Sequence, residues 1–312
     1  MEISAKILTP EDDFISRNIE DYPEGIIIPI NKPYRWTSAD VIRKVKFAAI
    51  RHFGKKKLKV GHAGTLDPLA TGILLVCIGN ATKLAERLQS HHKEYIAGVT
   101  FGATTPSYDL EKEIDRFFPH EHITAEAVAD ALPSFIGEQD QIAPLFSAKS
   151  VDGVRAYELA RKLHKEGKTL DEAAEELIRV SRINITELEL LKFEGRDEAS
   201  DNCGVRNDPS HSFVVGPSPC GQGGSTVSHT TLSNASSRIN VTDNSALGLP
   251  RADIRIACSK GTYVRAFARD LGEALGSGAH LDSLQRSRSG IFRIENSLTV
   301  EQTITLLASD KA

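Results

Sequence analysis

The sequence predicts an α+β fold in which a mixed, mainly antiparallel sheet is flanked by helices. Hydrophobic residues make up 40% and charged residues 26% of the 312 residues, which is typical of a globular protein with a sizeable core. Strand patterns and helix patterns both occur along the chain. They do not alternate regularly, as they would around a parallel sheet, so the α+β class is favoured.

Strands are predicted where apolar residues alternate with other residues or run together between turn signals. In residues 93–101, for example, Tyr95, Ala97 and Val99 recur at every second position. The short apolar run at residues 25–30 is typical of a buried strand. The predicted strands span residues 25–30, 73–78, 93–101, 179–193, 251–258 and 291–294, and residues 141–151 are predicted to be extended.

Helices are predicted where apolar residues at helical spacing follow a residue that can cap a helix. The clearest helix begins at Thr37 or Ser38 and ends near Phe53, with Val41 and Val45 on its apolar stripe. The other predicted helices span residues 82–88, 124–132, 156–166, 262–275 and 300–308.

The chain is predicted to contain one folded domain and two additional segments. Residues 1–24 are interpreted as an N-terminal extension outside the main fold. Residues 195–250 are interpreted as a mobile low-complexity insertion, because more than half of them are Gly, Ser, Thr, Asn, Asp or Pro. The domain itself would then consist of residues 25–194 and 251–312.

Charge is distributed unevenly along the chain. The formal net charge is −4, yet residues 31–60 contain ten Lys or Arg and a single acid, Asp40. Such a stretch is typical of a nucleic-acid contact, although a solvated helix face followed by a loop would look the same. Scattered cysteines, no membrane-length apolar run and no signal peptide together indicate a cytoplasmic protein.

No sequence motif indicates a cofactor or a metal. The chain has neither a glycine-rich phosphate loop nor a dinucleotide-binding fingerprint, which argues against nucleotide-driven chemistry. Its cysteines and histidines do not follow a recognisable metal-ligand spacing. We therefore expect chemistry without a cofactor or a bound metal ion.

The densest chemical signal is the segment from Gly61 to Gly72, in which three glycines surround a single carboxylate, Asp67. Pro68 biases Asp67 toward an extended or turn conformation, and the glycines allow another backbone to approach closely. A carboxylate is ionised at neutral pH and can act as a nucleophile without a helper base. The composition of this segment alone is equally compatible with an ordinary glycine-rich turn.

The whole segment resembles the catalytic motif G-H-x-G-x-L-D-P-x-A-x-G of the TruB family of tRNA pseudouridine synthases. Further segments resemble other motifs of that family, in the same order along the chain. Three residues depart from those motifs: Arg35 replaces a usual glycine, Ser150 a lysine and Gln285 an arginine. The matching segments are Asn31-Lys-Pro33 with Thr37-Ser38, Lys93-Glu-Tyr95, Ser147–Arg161, Cys258–Arg265 with Asp270–Gly272, and Gly278–Arg286.

This resemblance implies a pseudouridine synthase-like fold and an isomerase that converts uridine 55 in the TΨC loop of tRNA to pseudouridine. Asp67 would be the catalytic carboxylate. Arg265 would pair with it, because a nearby guanidinium keeps a carboxylate charged in a pocket that excludes water. Tyr95 would stack on the uracil, and its hydroxyl could carry the proton from C5.

The resemblance also implies that the target uridine is flipped out of the RNA before it reacts. His62 would then fill the space behind the flipped base. Leu284 would close the pocket as an apolar wall, and Tyr263 would lie at the border of the pocket. Lys32 and the basic stretch from Arg43 to Lys59 are expected to contact phosphates and position the RNA.

Two other functions remain open from the sequence. One is a related synthase with another RNA target, such as a guide-RNA-dependent enzyme, and the other is a tRNA folding factor whose catalysis is incidental. Little follows Thr299 except one predicted helix, so the small C-terminal RNA-binding domain of bacterial family members is expected to be absent. The expected partner is the TΨC arm of tRNA. No membrane and no obligate protein partner are expected, and the protein is expected to be a monomer.

Overall fold

A computed structural model of the chain describes residues 3–144, 150–151, 154–155, 180–195 and 239–309. The strands are β1 (Lys6–Ile7), β2 (Ile26–Lys32), β3 (Val60–Ala63), β4 (Ala70–Ile78), β5 (Lys93–Phe101), β6 (Ala103–Thr104), β7 (Arg116–Phe117), β8 (Gly137–Gln141), β9 (Ser150–Val151), β10 (Val154–Arg155), β11 (Ser181–Glu194), β12 (Arg251–Cys258), β13 (Ala279–Ser289) and β14 (Phe292–Arg293). The helices are α1 (Ser38–Phe53), α2 (Ala85–Gln89), α3 (Ala125–Ala131), α4 (Val264–Ala274) and α5 (Val300–Ala308).

Ten of the described strands form one mixed sheet. Its strand order is β1-β2-β4-β13-β5-β12-β11-β8, with β14 added to β13 and β3 added to β4. The β1–β2 and β4–β13 pairs are parallel, and the other described pairs are antiparallel. This architecture confirms the predicted α+β class. No helix among the described residues is long and apolar enough to cross a membrane.

The apolar core is divided between the two faces of the sheet. On β2, Ile26, Ile28 and Ile30 belong to the larger cluster, whereas Ile27 belongs to the smaller one on the opposite face. This alternation follows from the two-residue period of a strand. Helices α1, α4 and α5 cover the face with the larger cluster, and β3, α2 and β14 contribute to the other.

Helix α1 has both of the end signals that the sequence predicts. The Thr37 side chain accepts a hydrogen bond from the Asp40 backbone N–H, and the Asp40 carboxylate accepts one from the Thr37 N–H. This reciprocal capping box satisfies two donors that the first helical turn leaves unpaired. Gly54 ends the helix in the left-handed conformation, with φ of +62°.

Strand β13 lies in the middle of the sheet, although no strand was predicted there. It pairs with β5 along its length and with β4 at Leu284–Arg286. Its sequence, AHLDSLQRSRS, has weak apolar periodicity because polar side chains occupy buried positions. His280 is fully buried and Arg286 is 2% exposed. The strand was missed because its buried positions hold hydrogen-bonded polar groups, which the hydrophobic pattern does not report.

The interpretation of residues 1–24 as an extension outside the main fold is wrong for the described residues. Strand β1 adds to the edge of the sheet beside β2, and the Leu8 N–H donates to the Ile27 carbonyl at 2.9 Å. Leu8 and Ile15 are 0% and 1% exposed and belong to the larger core cluster. The segment lacks a regular apolar pattern because its buried residues, Ala5, Leu8 and Ile15, are widely spaced.

The proposed insertion is shorter than predicted at its C-terminal side. Residues 239–250 are described, and the Thr242 N–H donates to the Leu110 carbonyl at 2.8 Å. Residues 196–238 lie outside the described part of the chain, so the predicted mobility of the insertion stays a prediction. The predicted helix 156–166 also lies outside the described residues, as do most of the side chains of the Ser147–Arg161 motif.

Substitution of Leu8 by Ala tests whether the N-terminal segment belongs to the core. Because Leu8 is fully buried, its truncation leaves a cavity, and we expect the free energy of unfolding measured in urea to fall by about 2–5 kcal/mol. Glu11→Ala, at an exposed position of the same segment, serves as the matched control and should change it by less than about 0.5 kcal/mol. Equal stability of the two variants would contradict the assignment of this segment to the fold.

Candidate active site

Asp67 lies in the short loop between β3 and β4, and three buried side chains hold that loop in place. The Ser38 hydroxyl donates to the Leu66 carbonyl and accepts from the Leu66 N–H, at 3.2 and 3.0 Å. The Lys32 ammonium donates to the Pro68 carbonyl at 3.2 Å. These bonds fix the backbone on both sides of Asp67.

Arg286 of β13 is the third of these side chains. Its guanidinium donates to the carbonyls of Gly64 at 3.1 Å, Thr65 at 3.4 Å and Ile73 at 2.7 Å. Three carbonyl acceptors satisfy a buried guanidinium that would otherwise be costly to desolvate. Arg286 thereby ties the loop that carries Asp67 to the start of β4.

Gly72 allows the backbones of β4 and β13 to meet at this point. It has φ of +97°, and a Cβ atom there would lie 2.3 Å from the Arg286 carbonyl oxygen. Any larger residue would therefore push β13 away from β4. The last glycine of the sequence motif is thus explained by close approach of two backbones.

A buried ion pair joins Asp67 to α4. The Arg265 Nε donates to Asp67 Oδ2 at 2.9 Å, and Arg265 Nη1 donates to the Ser107 carbonyl at 3.0 Å. The Arg265 side chain is 5% exposed, whereas the Asp67 side chain is 38% exposed. Burial alone would lower the pKa of Arg265, but the charges of Asp67 and Asp109 outweigh it and raise that pKa. The arginine therefore stays cationic while the carboxylate of Asp67 still faces solvent.

Asp109 is a second carboxylate at Arg265 that the sequence analysis did not identify. Its Oδ2 lies 3.7 Å from Arg265 Nε, and the Ser107 hydroxyl donates to its Oδ1 at 2.6 Å. Tyr108, the residue before it, has a left-handed backbone with φ of +55°. In the sequence, residues 105–110 look like any polar turn. The only feature that could have indicated a functional aspartate was its position shortly after Pro106 and Ser107.

Tyr95 lies beside Arg286 on the adjacent strand. The two residues are direct partners in the β5–β13 register, and Tyr95 is 9% exposed. Burial raises the pKa of Tyr95, and Arg286 opposes that rise only in part. Its hydroxyl is therefore protonated at neutral pH.

The exposed edge of Asp67 opens into a cleft. The apolar wall of this cleft is formed by Leu284 and Leu69, and its charged lining by Asp109 and Arg265. Leu284 also faces Ala70 and Ala97 across the β4–β13 and β5–β13 registers. The predicted catalytic pair and the predicted apolar wall thus meet in one place.

Comparisons with known proteins agree with this arrangement. Residues 51–203 match the family model described as TruB family pseudouridylate synthase (N terminal domain), and residues 265–311 match the model described as tRNA pseudouridylate synthase B C-terminal domain. A protein of Phocaeicola vulgatus named tRNA pseudouridine synthase B is 44% identical over 90% of this chain and 92% of its own length. One of Bacteroides thetaiotaomicron with the same name is 43% identical over the same shares.

The chain belongs to the TruB family. Among solved structures, a chain of a Cbf5-Nop10-Gar1 complex has a TM-score of 0.53 at 21% identity, with 96% of this chain and 60% of that chain covered. That likeness concerns the fold alone. The segment matched by the C-terminal model contains α4, β13, β14 and α5, which are part of the sheet and core described above. The expected absence of an additional RNA-binding domain stays a prediction.

Two other predicted residues of this TruB-family site, Tyr263 and His62, lie on elements that adjoin the Asp67–Arg265 pair. Tyr263 immediately precedes α4, and Gln141 binds both its N–H at 2.8 Å and its carbonyl at 3.2 Å. His62 lies on β3, and burial followed by the charge of Arg286 lowers its pKa. His62 is thus neutral at pH 7, and its role in base flipping stays a prediction.

The predicted phosphate contact of Lys32 is wrong. The side chain is fully buried, and its ammonium donates to the carbonyls of Pro33 at 2.9 Å, Trp36 at 2.7 Å and Pro68 at 3.2 Å. Burial lowers the pKa of Lys32 to about 7, against the opposing charge of Asp67. Lys32 supports the loop of Asp67 from within the core, where no RNA phosphate can reach it.

Arg35 keeps the turn geometry of the glycine that the family motif has at its position. Its φ is +62°, in the left-handed region that side chains other than glycine rarely adopt. Its Nη2 donates to the Ile239 carbonyl at 2.6 Å. The departure from the motif therefore leaves the turn intact and adds a link to the segment that follows the insertion.

Replacement of Lys32 by Met tests its structural role. The carbonyls of Pro33, Trp36 and Pro68 lose their donor, so we expect the free energy of unfolding to fall by about 1–3 kcal/mol. Lys44→Met, on the exposed face of α1, should leave that free energy unchanged within about 0.5 kcal/mol. A Lys32 variant of wild-type stability but with weaker salt dependence of RNA binding would restore the phosphate interpretation.

Two substitutions at Arg35 separate backbone strain from the side-chain bond. Arg35→Gly and Arg35→Ala both lose the bond to Ile239, but only alanine must adopt the left-handed φ. We therefore expect the glycine variant to be more stable than the alanine variant by about 1 kcal/mol in urea unfolding. An alanine variant as stable as the glycine variant would mean that the turn relaxes to another conformation.

Proposed function

We propose that this TruB-family chain isomerises uridine 55 in the TΨC loop of tRNA to pseudouridine, with Asp67 as the catalytic carboxylate. The observation that carries the proposal is the pairing of a part-exposed Asp67 with a buried Arg265, on a loop held by Lys32, Ser38 and Arg286. Relatives over 40% identical along nine-tenths of the chain are named tRNA pseudouridine synthase B, which supports tRNA as the substrate class.

The reaction breaks the N-glycosidic bond of uridine, turns the uracil and joins C5 to the ribose, while C5 loses its proton and N1 gains one. Asp67 is suited to the nucleophilic or charge-stabilising role, because Arg265 donates to its Oδ2 at 2.9 Å and fixes that oxygen in place. A preorganised cation beside developing charge is worth more in a cleft that excludes water than in bulk solvent. Asp109 contributes a second negative charge, 3.7 Å from the same Arg265 Nε.

Tyr95 is suited to act as a stacking surface for the uracil. Tyr95 lies opposite Arg286 in the strand register, and its raised pKa keeps the hydroxyl protonated. A neutral phenol accepts the proton of C5 poorly, so stacking is the main role that we assign to Tyr95. Leu284 would close the opposite side of the base.

The RNA must present a flipped base, because a stacked uridine cannot reach Asp67. We assign the filling of the vacated space to His62. Phosphate contacts are assigned to the exposed cations of α1 and the following loop. They comprise Arg43, Lys44, Lys46, Arg51, Lys55, Lys56, Lys57 and Lys59.

A related synthase with another RNA target is the second candidate. The structures that share the fold belong to complexes of several proteins, as in the Cbf5-Nop10-Gar1 complex, but that likeness is too distant to carry a function. The relatives that are similar along nearly their whole length carry the tRNA name. We therefore propose a tRNA enzyme that acts as a monomer in the cytoplasm without cofactor, metal or obligate protein partner.

Pseudouridine mapping on an unmodified tRNA transcript tests the proposal. We expect wild-type protein to convert a single uridine in the TΨC loop with a chelator present and no cofactor added. Asp67→Asn should lower kcat by at least about 10³-fold, since it removes the charge without changing the size of the side chain. Asp130→Asn, the same change on the exposed surface of α3, is the matched control and should retain full activity.

The outcomes separate the candidate functions. Conversion at another position, or in another RNA only, would favour the related synthase. Activity of Asp67→Asn equal to that of wild type would remove Asp67 from the chemistry. A wild-type protein that refolds misfolded tRNA but converts no uridine would favour the folding factor, and its function should then survive Asp67→Ala.

A further inference from the structure

The hairpin formed by β13 and β14 places two arginines directly opposite each other. Arg288 and Arg293 are partners in the antiparallel register, and both are exposed. Like charges at opposed strand positions destabilise a hairpin. Within the described part of the chain, neither arginine forms an ion pair with a carboxylate. The pair therefore leaves positive charge uncompensated at the surface.

Together with their neighbours, the two arginines form a concave basic surface. Arg288, Arg293, His91 and His92 line one groove, and the tip residue Ile291 is 64% exposed beside them. None of the described residues that line the groove is acidic. We call this surface the hairpin groove.

The nearest carboxylate on β5 is directed to other partners. Glu94 lies opposite Arg288 in the register, but its Oε1 accepts from the Ser287 hydroxyl at 2.8 Å and its Oε2 lies 3.7 Å from Arg255. Glu94 shares the Arg255 guanidinium with Glu187 and Glu189, and it forms no ion pair with Arg288 or Arg293 among the described residues. The hairpin groove therefore keeps an excess of positive charge, although Glu94 lies on the adjacent strand β5.

Backbone contacts make the hairpin groove a fixed surface. The Gly290 N–H donates to the His92 carbonyl at 2.9 Å, and Arg288 Nε donates to the Gly290 carbonyl at 2.8 Å. The His91 ring packs against Gly290 so closely that a Cβ there would lie 2.4 Å from its Nδ1. The pKa of His91 is lowered by burial and by the charges of Lys93 and Arg87, which again reports a positive field.

The hairpin groove continues the strand that forms the cleft wall. Leu284 lines the cleft, Arg286 holds the loop of Asp67, and Arg288 follows on the same strand. At roughly 3.3 Å per residue, Arg288 lies about 13 Å along the strand from Leu284. A bulge between Arg286 and Arg288 turns Arg288 to the face of the sheet opposite Leu284. An RNA arm that presents its loop to Asp67 is large enough to reach both places.

We propose that the hairpin groove binds the phosphate backbone of the RNA substrate outside the catalytic cleft. The inference rests on the proposed function, because it assumes that the polyanion is the RNA whose base reaches Asp67. Planar guanidinium groups bind phosphate oxygens through paired hydrogen bonds, and an RNA strand offers two phosphates to two arginines. The RNA would also relieve the repulsion between Arg288 and Arg293. The groove contributes to affinity and leaves the chemical step unchanged.

The test combines steady-state kinetics with the salt dependence of RNA binding, on tRNA transcript and with Arg288→Gln/Arg293→Gln. Loss of two phosphate contacts should reduce the slope of log K against log salt by about 1–2 and raise KM roughly tenfold. At saturating RNA, kcat should stay within about twofold of wild type, because no reacting atom is touched. Arg182→Gln is the matched control, since that exposed arginine is paired with Glu138 and Asp140.

Arg293→Gln alone guards against a folding defect, because Arg288 also bonds the hairpin backbone. It should show about half of the change in slope at unchanged thermal stability. A double variant with the salt slope and KM of the Arg182 control would overturn the inference. If wild-type protein converts no uridine yet the double variant lowers the salt slope for tRNA, the proposed function fails while the RNA contact stands.

Discussion

The hydrogen bonds of the buried Arg286 guanidinium are the interaction on which the site depends. One side chain binds three backbone carbonyls on both sides of the Asp67 loop and also lies beside Tyr95. Bonds from a charged donor contribute about 1.5–3 kcal/mol each when they are satisfied. Their geometry also sets the distance between β13 and the loop, which Gly72 permits through its lack of a side chain. The positions of the Asp67 carboxylate and of Tyr95 thus share one anchor.

Three buried cations surround this one loop. Lys32 and Arg286 bind backbone carbonyl oxygens, whereas Arg265 pairs with Asp67 and lies near Asp109. Desolvating such groups opposes folding, and a buried ion pair contributes little to stability by itself. The arrangement makes sense as preorganisation, in which charge is fixed before the substrate arrives. The pairing of the exposed carboxylate with a buried guanidinium is the part of it that faces solvent.

Much of the fold and the central pair could be predicted from the sequence. Helices with clear caps, such as α1 and α5, and strands with regular alternation, such as β5 and β12, begin and end close to their predicted positions. The motif segments led to Asp67, Tyr95 and Arg265. Family resemblance supplied that result, because composition alone did not distinguish the Asp67 segment from an ordinary turn.

The remaining errors have a common physical origin. Strand β13 is central in the sheet but has a polar sequence. Asp109 lies in a turn whose sequence is not distinctive. Lys32 has the sequence context of a surface cation, but its ammonium is bound by backbone carbonyls. In each case a buried polar side chain forms hydrogen bonds with other protein groups. Hydrophobic periodicity reports burial of apolar groups only, so it is silent about such positions. The N-terminal segment was misjudged for the related reason that its buried residues are isolated.

The link between Arg35 and Ile239 affects where the chain can be shortened. Strands β11 and β12 end side by side, with Glu194 opposite Arg251, so the register alone would allow a tight turn to replace everything between them. Yet residues 239–242 are tied to Arg35 on one side and to Leu110 of the cleft on the other. A shortened version of this enzyme should therefore lose only residues before 239, so that residues 239–242 keep both of these hydrogen bonds.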